Sequence, residues 1–324
     1  MSAPVLSVRN LVTQFDTRAG TITAVDGVSL EVGPGEVLGI VGESGSGKTI
    51  TGFSILGLID KPGRIAGGEV LLNGQDLRKL SDRAMARLRG DRIAMIFQDP
   101  MMTLNPVLRI DTQMIETIRA HRDVSRSRAR DMAAEALALV GIPSPVERLR
   151  TYPHEMSGGM RQRVVIAIAL MLEPDLIIAD EPTTALDVTI QSQILSEMQK
   201  LMAERNTALI WITHDLTVVA GLAHRVAVMY AGRIVETGSV DDLLDRPMHP
   251  YTRGLISSIP SSVPRGERLG PIKGMTPSLM NLPEGCAFAP RCPQASEVCR
   301  KARPDRQDLA SGRGLRCFHP LEEA

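Results

Sequence analysis

Val37-Leu38-Gly39-Ile40-Val41 runs directly into Gly42-Glu43-Ser44-Gly45-Ser46-Gly47-Lys48-Thr49, and Ile50–Leu58 carries on as an apolar stretch. The first five residues form an unbroken apolar run, the pattern of a strand buried on both faces of a sheet. The next eight match G-x-x-x-x-G-K-[ST] between a strand and a helix, the context in which that pattern cradles phosphates. Its glycines let backbone N–H groups turn inward, and the helix N-terminus adds partial positive charge. Lys48 supplies a cation for β- and γ-phosphates and Thr49 a hydroxyl for Mg²⁺. Gly42, Ser44, Gly45, Ser46, Gly47, Lys48, Thr49 and, further into the helix, Thr51 are the candidate nucleotide-binding residues. The competing reading is a glycine-rich structural turn. The bare pattern arises by accident in about one chain in a hundred of this length, and its flanks make it rarer still.

Working outward, strand patterns precede the loop at Val5–Arg9 and Gly27–Val32. Others recur at Glu69–Leu72, Ile93–Phe97, Leu176–Ala179, Ala208–Ile212, Val226–Met229 and Arg233–Glu236. Helical stretches lie between several of them, which indicates an α/β fold with a largely parallel central sheet. From about Asp111 to Leu149 the spacing is helical with no strand candidate, an inserted helical subdomain. Beyond about residue 240, prolines recur from Pro247 to Pro320 and mark a loop-rich extension. The expected organisation is an α/β nucleotide-binding core over 1–105 and 158–238, an inserted helical subdomain over 106–157 and an extension over 239–324. The strand Leu176–Ala179 ends in Asp180-Glu181. Placed beside the first strand, Asp180 can hold Mg²⁺ through water, while Glu181 is free to accept a proton from an attacking water. Alone, such a pair reads equally well as solvated acids.

The chain has 324 residues and 35.1 kDa, which suits about two domains. Hydrophobic residues make up 43% and charged residues 23%, values that exclude a disordered chain. Lys+Arg and Asp+Glu both number 37, so there is no global basic field for nucleic acid. The arginines Arg119, Arg122, Arg126, Arg128 and Arg130 lack interspersed aromatics and read as a solvated helix face. The longest apolar run, Val164–Leu172, falls far short of the ~20 residues that span a bilayer. Met1–Asn10 has no signal pattern, and a cytoplasmic chain is expected.

Met156-Ser157-Gly158-Gly159-Met160-Arg161-Gln162-Arg163 opens the Val164–Leu172 helix ahead of the two carboxylates. With the phosphate loop, it resembles the signature of ABC-transporter nucleotide-binding subunits over essentially the whole chain. The resemblance implies that Gln98 ends the strand before the helical subdomain and senses Mg²⁺ and its water. Asp187, in Ala185-Leu186-Asp187, belongs to the D-loop, His214 contacts the γ-phosphate, and Phe15 stacks on adenine. Glu181, His214, Gln98 and Lys48 are then the catalytic set, with Thr49, Gln98 and Asp180 around Mg²⁺. Ser157, Gly158 and Gly159 cap the γ-phosphate of ATP held by a second chain. Met160 departs from the usual Gln at its position.

The segments Glu181–Thr189, Val228–Gly232 and His249–Leu255, with the cysteine-bearing tail, resemble dipeptide and oligopeptide importer ATPases. The implied partners are a second, related ATPase, two integral permease subunits and an extracytoplasmic peptide-binding protein, at the cytoplasmic face of the membrane. Importers of nickel and other solutes share the tail. A soluble non-transport ABC ATPase and an exporter subunit are the other readings, disfavoured by the single cassette and by the tail.

None of the four cysteines precedes Cys286; Cys292, Cys299 and Cys317 follow with five, six and seventeen residues between successive members. A cytoplasmic setting argues against disulfides. Zinc sites usually contain a short C-x₂₋₄-C pair, absent here. Four thiolates without that pair suit a cubane at least as well, and Cys292-Pro293 matches the Cys-Pro of ferredoxin runs. The family resemblance also implies a [4Fe–4S] cluster in this tail, with zinc as the alternative.

Overall fold

The computed structural model describes residues 3–184, 186–259, 270, 272–309 and 312–321. Ala185 of the expected D-loop, and Pro260, Pro264 and Pro271 of the tail, lie outside the described residues. The chain divides into two units. One comprises Met1–Val5, Gly33–Glu36 and Lys79–Ile210; the other comprises Leu6–Val32, Val37–Arg78 and Trp211–Ala324.

In the second unit, the strand Val37–Val41 is buried at every residue, as its unbroken apolar run demands. It pairs parallel with Arg225–Tyr230, from Leu38 opposite Arg225 to Val41 opposite Val228. Arg225–Tyr230 pairs antiparallel with Arg233–Ser239, and the extension then adds Gly314–Leu315 and Gln307–Asp308 to that edge. The same unit holds a separate antiparallel sheet in the order Gly20–Val32, Leu6–Thr17, Gly63–Leu72, Gln75–Asp76. Its strands run longer than the sequence patterns suggest. Strand pairing sustains them through polar residues such as Thr21, Thr23, Arg64 and Glu69. The helix after the loop is Lys48–Leu56, tied to the first strand by a buried 2.7 Å hydrogen bond between the Thr13 and Ser54 hydroxyls.

The extension is held to this unit by buried polar contacts as well as by strands. Arg313 and Glu236 form a 2.7 Å ion pair whose side chains are 3% and 1% exposed. The Glu236 carboxylate also accepts hydrogen bonds from the Met248 and His249 N–H groups, and Arg313 donates to the Arg246 carbonyl. Removing one member of such a pair strands a buried charge and costs about 3–5 kcal/mol. His249 Nδ1 accepts a hydrogen bond from the Tyr251 N–H, and burial pushes the imidazole pKa down to about 3, so it stays neutral at pH 7.

In the first unit Ile93–Ile96 pairs parallel with Leu176–Asp180, and Ala208–Thr213, which begins in this unit, stands next to Leu176–Asp180 in strand order. The helices are Ile110–His121, Arg126–Leu139 and Gly158–Leu170. Ile110, Met114, Ile115 and Ile118 form the buried face of one; Ala129, Ala133, Ala136 and Leu137 form that of the next. Alanines on that face allow the two helices to pack closely. Arg122, Arg128 and Arg130 pair with Asp91, Glu135 and Asp111 respectively, as befits a solvated helix face. Among the described residues no helix is long and apolar enough to cross a membrane.

Candidate functional site

The loop between Val37–Val41 and the helix starting at Lys48 is shaped by left-handed glycines. Gly42 has φ 156° and Gly47 has φ 102°. A Cβ on Gly42 would lie 2.2 Å from the Met229 carbonyl oxygen, and one on Gly47 would lie 2.5 Å from that of Ala24. Both positions therefore require glycine by close approach as well as by φ. Lys48 is 5% exposed, and its ammonium donates to the carbonyls of Gly42 (2.7 Å) and Glu43 (3.0 Å). It thus spans the loop it belongs to. The Thr51 hydroxyl donates to the Gly47 carbonyl at 2.9 Å, a bond that braces the first helical turn. Ser46 is buried, Ser44 and Gly45 are exposed, and Thr49 lies half-buried at the helix start. Phe15, half-buried, packs over Gly63, its cross-strand partner. His214 is exposed just after Thr213.

Glu43 occupies a variable position of the loop pattern, and the sequence reading passed over it. Its carboxylate forms a two-pronged ion pair with Arg291, at 2.6 Å from Nη1 to Oε2 and 2.9 Å from Nη2 to Oε1. The Thr276 hydroxyl donates to the same carboxylate at 2.9 Å. The Glu43 N–H donates to the Tyr251 hydroxyl oxygen, also at 2.9 Å. The Arg291 guanidinium holds the Glu43 carboxyl below the usual carboxylate range. One signal was legible: an acid inside a phosphate-binding loop calls for a cation.

In the other unit, the register Ile96 opposite Ala179 brings both strands to an end at the same edge. Gln98 and Glu181, each two residues further on, therefore meet: Gln98 Nε2 donates to Glu181 Oε2 at 3.3 Å. The Thr184 hydroxyl donates to the same oxygen at 3.1 Å. Glu181 sits at φ 45°, an uncommon conformation for a non-glycine residue that turns the chain sharply after the strand. Asp180, the last strand residue, is 4% exposed. The signature segment lies in this unit too. Ser157 caps the helix Gly158–Leu170, accepting a 3.3 Å hydrogen bond from the Met160 N–H. Ser157 and Gly158 are exposed, whereas Met160 is half-buried. Asp187 caps Val188–Arg205 through a 2.9 Å bond from the Ile190 N–H, and Ile190 packs against Gly159.

Cys286, Cys292, Cys299 and Cys317 are all free thiols and line one small cavity with Phe288, Phe318 and His319. Residues scattered over the tail thus converge. Burial pushes the Cys317 thiol up to about 11 and those of Cys286 and Cys292 upward, each raised further by neighbouring cysteines. Among the described residues no three His, Cys, Asp or Glu side chains are grouped so as to hold a single metal ion. Four soft thiols around one cavity are a donor set that zinc and iron–sulfur centres share.

Comparison with known proteins gives the family. Residues 25–184 match the family described as ABC transporter, and residues 235–299 match the oligopeptide/dipeptide transporter C-terminal region. A putative peptide import ATP-binding protein of Brucella melitensis is 50% identical, over 99% of this chain and 98% of its own length. The oligopeptide transport ATP-binding protein OppD of Escherichia coli is 47% identical, over 98% of this chain and 94% of its own. The dipeptide transport ATP-binding protein DppD of the same organism is 46% identical over 98% of both chains. Among solved structures, a dimeric ATP-binding cassette in a post-hydrolysis state with ADP and Pi superposes with a TM-score of 0.66 and 27% identity. The match covers 72% of this chain and 98% of that one. From its phosphate loop to its cysteine-bearing tail, the chain belongs to the ABC transporter family, among the ATP-binding proteins of the peptide importers.

Proposed function

We propose that the chain hydrolyses ATP to energise uptake of di- and oligopeptides through a membrane ABC importer. The observation that carries this reading is the union, in one chain, of a phosphate loop with a C-terminal region of the oligopeptide/dipeptide transporter type. The domain plan proposed with it is a core over 1–105 and 158–238, a helical subdomain over 106–157 and an extension over 239–324.

Gly42, Ser44, Gly45, Ser46, Gly47, Lys48, Thr49 and Thr51 bind the ATP phosphates, and Phe15 stacks on the adenine. Thr49, Gln98 and Asp180 are the residues that would hold Mg²⁺, which supplies charge neutralisation at the phosphates. Glu181 accepts a proton from water as the water oxygen attacks the γ-phosphorus. The bond to the β,γ-bridging oxygen breaks, and ADP leaves with that electron pair. Gln98 and Thr184, both donating to Glu181 Oε2, orient the carboxylate for this role. His214 contacts the γ-phosphate. Ser157, Gly158 and Gly159 act on ATP held by a second chain, with Asp187 beside them across the dimer seam; their exposed helix N-terminus supports that reading. Closing and opening of the ATPase pair then drives the permease.

Solubilised from membranes, the chain should therefore purify with two integral membrane proteins and a related ATPase, at the cytoplasmic membrane face. An extracytoplasmic peptide-binding protein completes the importer. Within that complex, Ser157→Arg in this chain should damage hydrolysis at the site whose phosphate loop belongs to the partner. Damage confined to the mutant's own loop would refute action across the dimer.

The four cysteines are proposed to hold a [4Fe–4S] cluster. What supports a shared centre is that all four thiols line one cavity; zinc is the alternative occupant. In a segment with little apolar core, the cluster would act as a structural staple. Anaerobically purified protein should be brown and contain iron and acid-labile sulfide, both lost on Cys292→Ser with ATP binding retained. Stoichiometric zinc without sulfide would overturn the cluster.

A further inference from the structure

Glu43 places a carboxylate in a loop proposed to wrap several phosphate negative charges. Like charges so close oppose each other unless a cation intervenes. Lys48 is directed to the loop carbonyls and to the phosphates, so the cation for Glu43 has to come from elsewhere. It comes from the extension. Arg291, 4% exposed at its side chain, meets both carboxylate oxygens of Glu43. Its Nε donates to the Lys273 carbonyl at 3.0 Å, and its guanidinium lies 5.9 Å from the Tyr230 ring centroid and 6.0 Å from that of Phe288. A planar fork fixed on three sides holds its partner in one orientation, which a flexible lysine would not do. Thr276 and Tyr251 complete the grip on Glu43, and both also belong to the region beyond residue 240.

We propose that Arg291 is a positioning residue of the ATP site: by neutralising and orienting Glu43, it makes the cysteine-bearing extension a working part of the phosphate loop. The inference rests on the reading of that loop as the ATP site. Arg291 directly precedes Cys292, so whatever holds Cys292 in place also holds the guanidinium against the loop. The extension thereby does more than stabilise its own fold. It sets the charge and shape that the nucleotide meets.

The test is equilibrium binding of a fluorescent ATP analogue to the full chain, with hydrolysis excluded from the readout. R291Q should weaken binding about tenfold, the usual consequence of leaving a half-buried carboxylate without its charged partner. In an E43Q background the same Arg291 change should cost less than about twofold, because no uncompensated charge then faces the phosphates. R291K, which keeps the charge and loses the fork, should fall between native and R291Q. A merely structural role for Arg291 would give the same loss in both backgrounds, and that outcome overturns the proposal. So does native affinity in R291Q while K48A still abolishes binding. A native chain that bound no ATP would overturn the functional reading and this inference with it.

Discussion

Lys48→Ala should abolish measurable ATP binding. The ammonium is the cation of the phosphate loop and is directed across it by bonds to the Gly42 and Glu43 carbonyls. Truncating the charged member of a desolvated hydrogen-bonded pair costs about 2–5 kcal/mol, or roughly 30-fold to several thousand-fold in affinity. The triphosphate would face loop N–H groups and the helix N-terminus alone, whose combined partial charge is near half an elementary charge. Titration with a fluorescent ATP analogue measures the loss. Thermal unfolding of the same sample separates it from misfolding, since Lys48 also ties the loop together. Binding within a few-fold of native would show that the triphosphate does not lie in this loop.

Glu181→Gln should bind ATP and barely turn it over. The substitution keeps the shape of the side chain and its Oε contact with Gln98 and Thr184, and removes the proton acceptor. Loss of a positioned general base costs about 10²–10⁴-fold in rate. Because ATP still binds, complexes with this variant should accumulate as closed dimers, visible by size-exclusion chromatography or light scattering in the presence of ATP. Phosphate release from the assembled complex reports the rate. Normal turnover would sink the general-base assignment and leave Glu181 as the turn residue its φ of 45° already makes it. The two variants also distinguish steps, because Lys48→Ala fails before dimer closure and Glu181→Gln fails after it.

The local signals were strong enough for the sequence to determine the phosphate loop, the apolar strands and the helical insert. Gly42, Gly47 and Lys48 lie within seven consecutive residues, and chain connectivity alone brings them together. The strand Leu176–Asp180 is legible because burial on both faces leaves no polar position before its terminal Asp180. The same physics hid much of the antiparallel sheet, of which the patterns Val5–Arg9, Gly27–Val32 and Glu69–Leu72 showed only parts. Gly20–Val32 and Gly63–Leu72 carry polar and glycine residues at many positions, and only hydrogen bonding to Leu6–Thr17 makes them strands. The convergence of four cysteines was likewise readable as clustering, but not as a cavity. That required the extension to fold back and add Gly314–Leu315 to the sheet edge. The Glu43–Arg291 pair is the plainest case of what tertiary structure decided. Its members stand 248 residues apart, and nothing in the local pattern of either identifies the other. A charge in a sequence declares that it needs a partner; only the fold, by bringing distant backbone together at low dielectric, decides which one it receives.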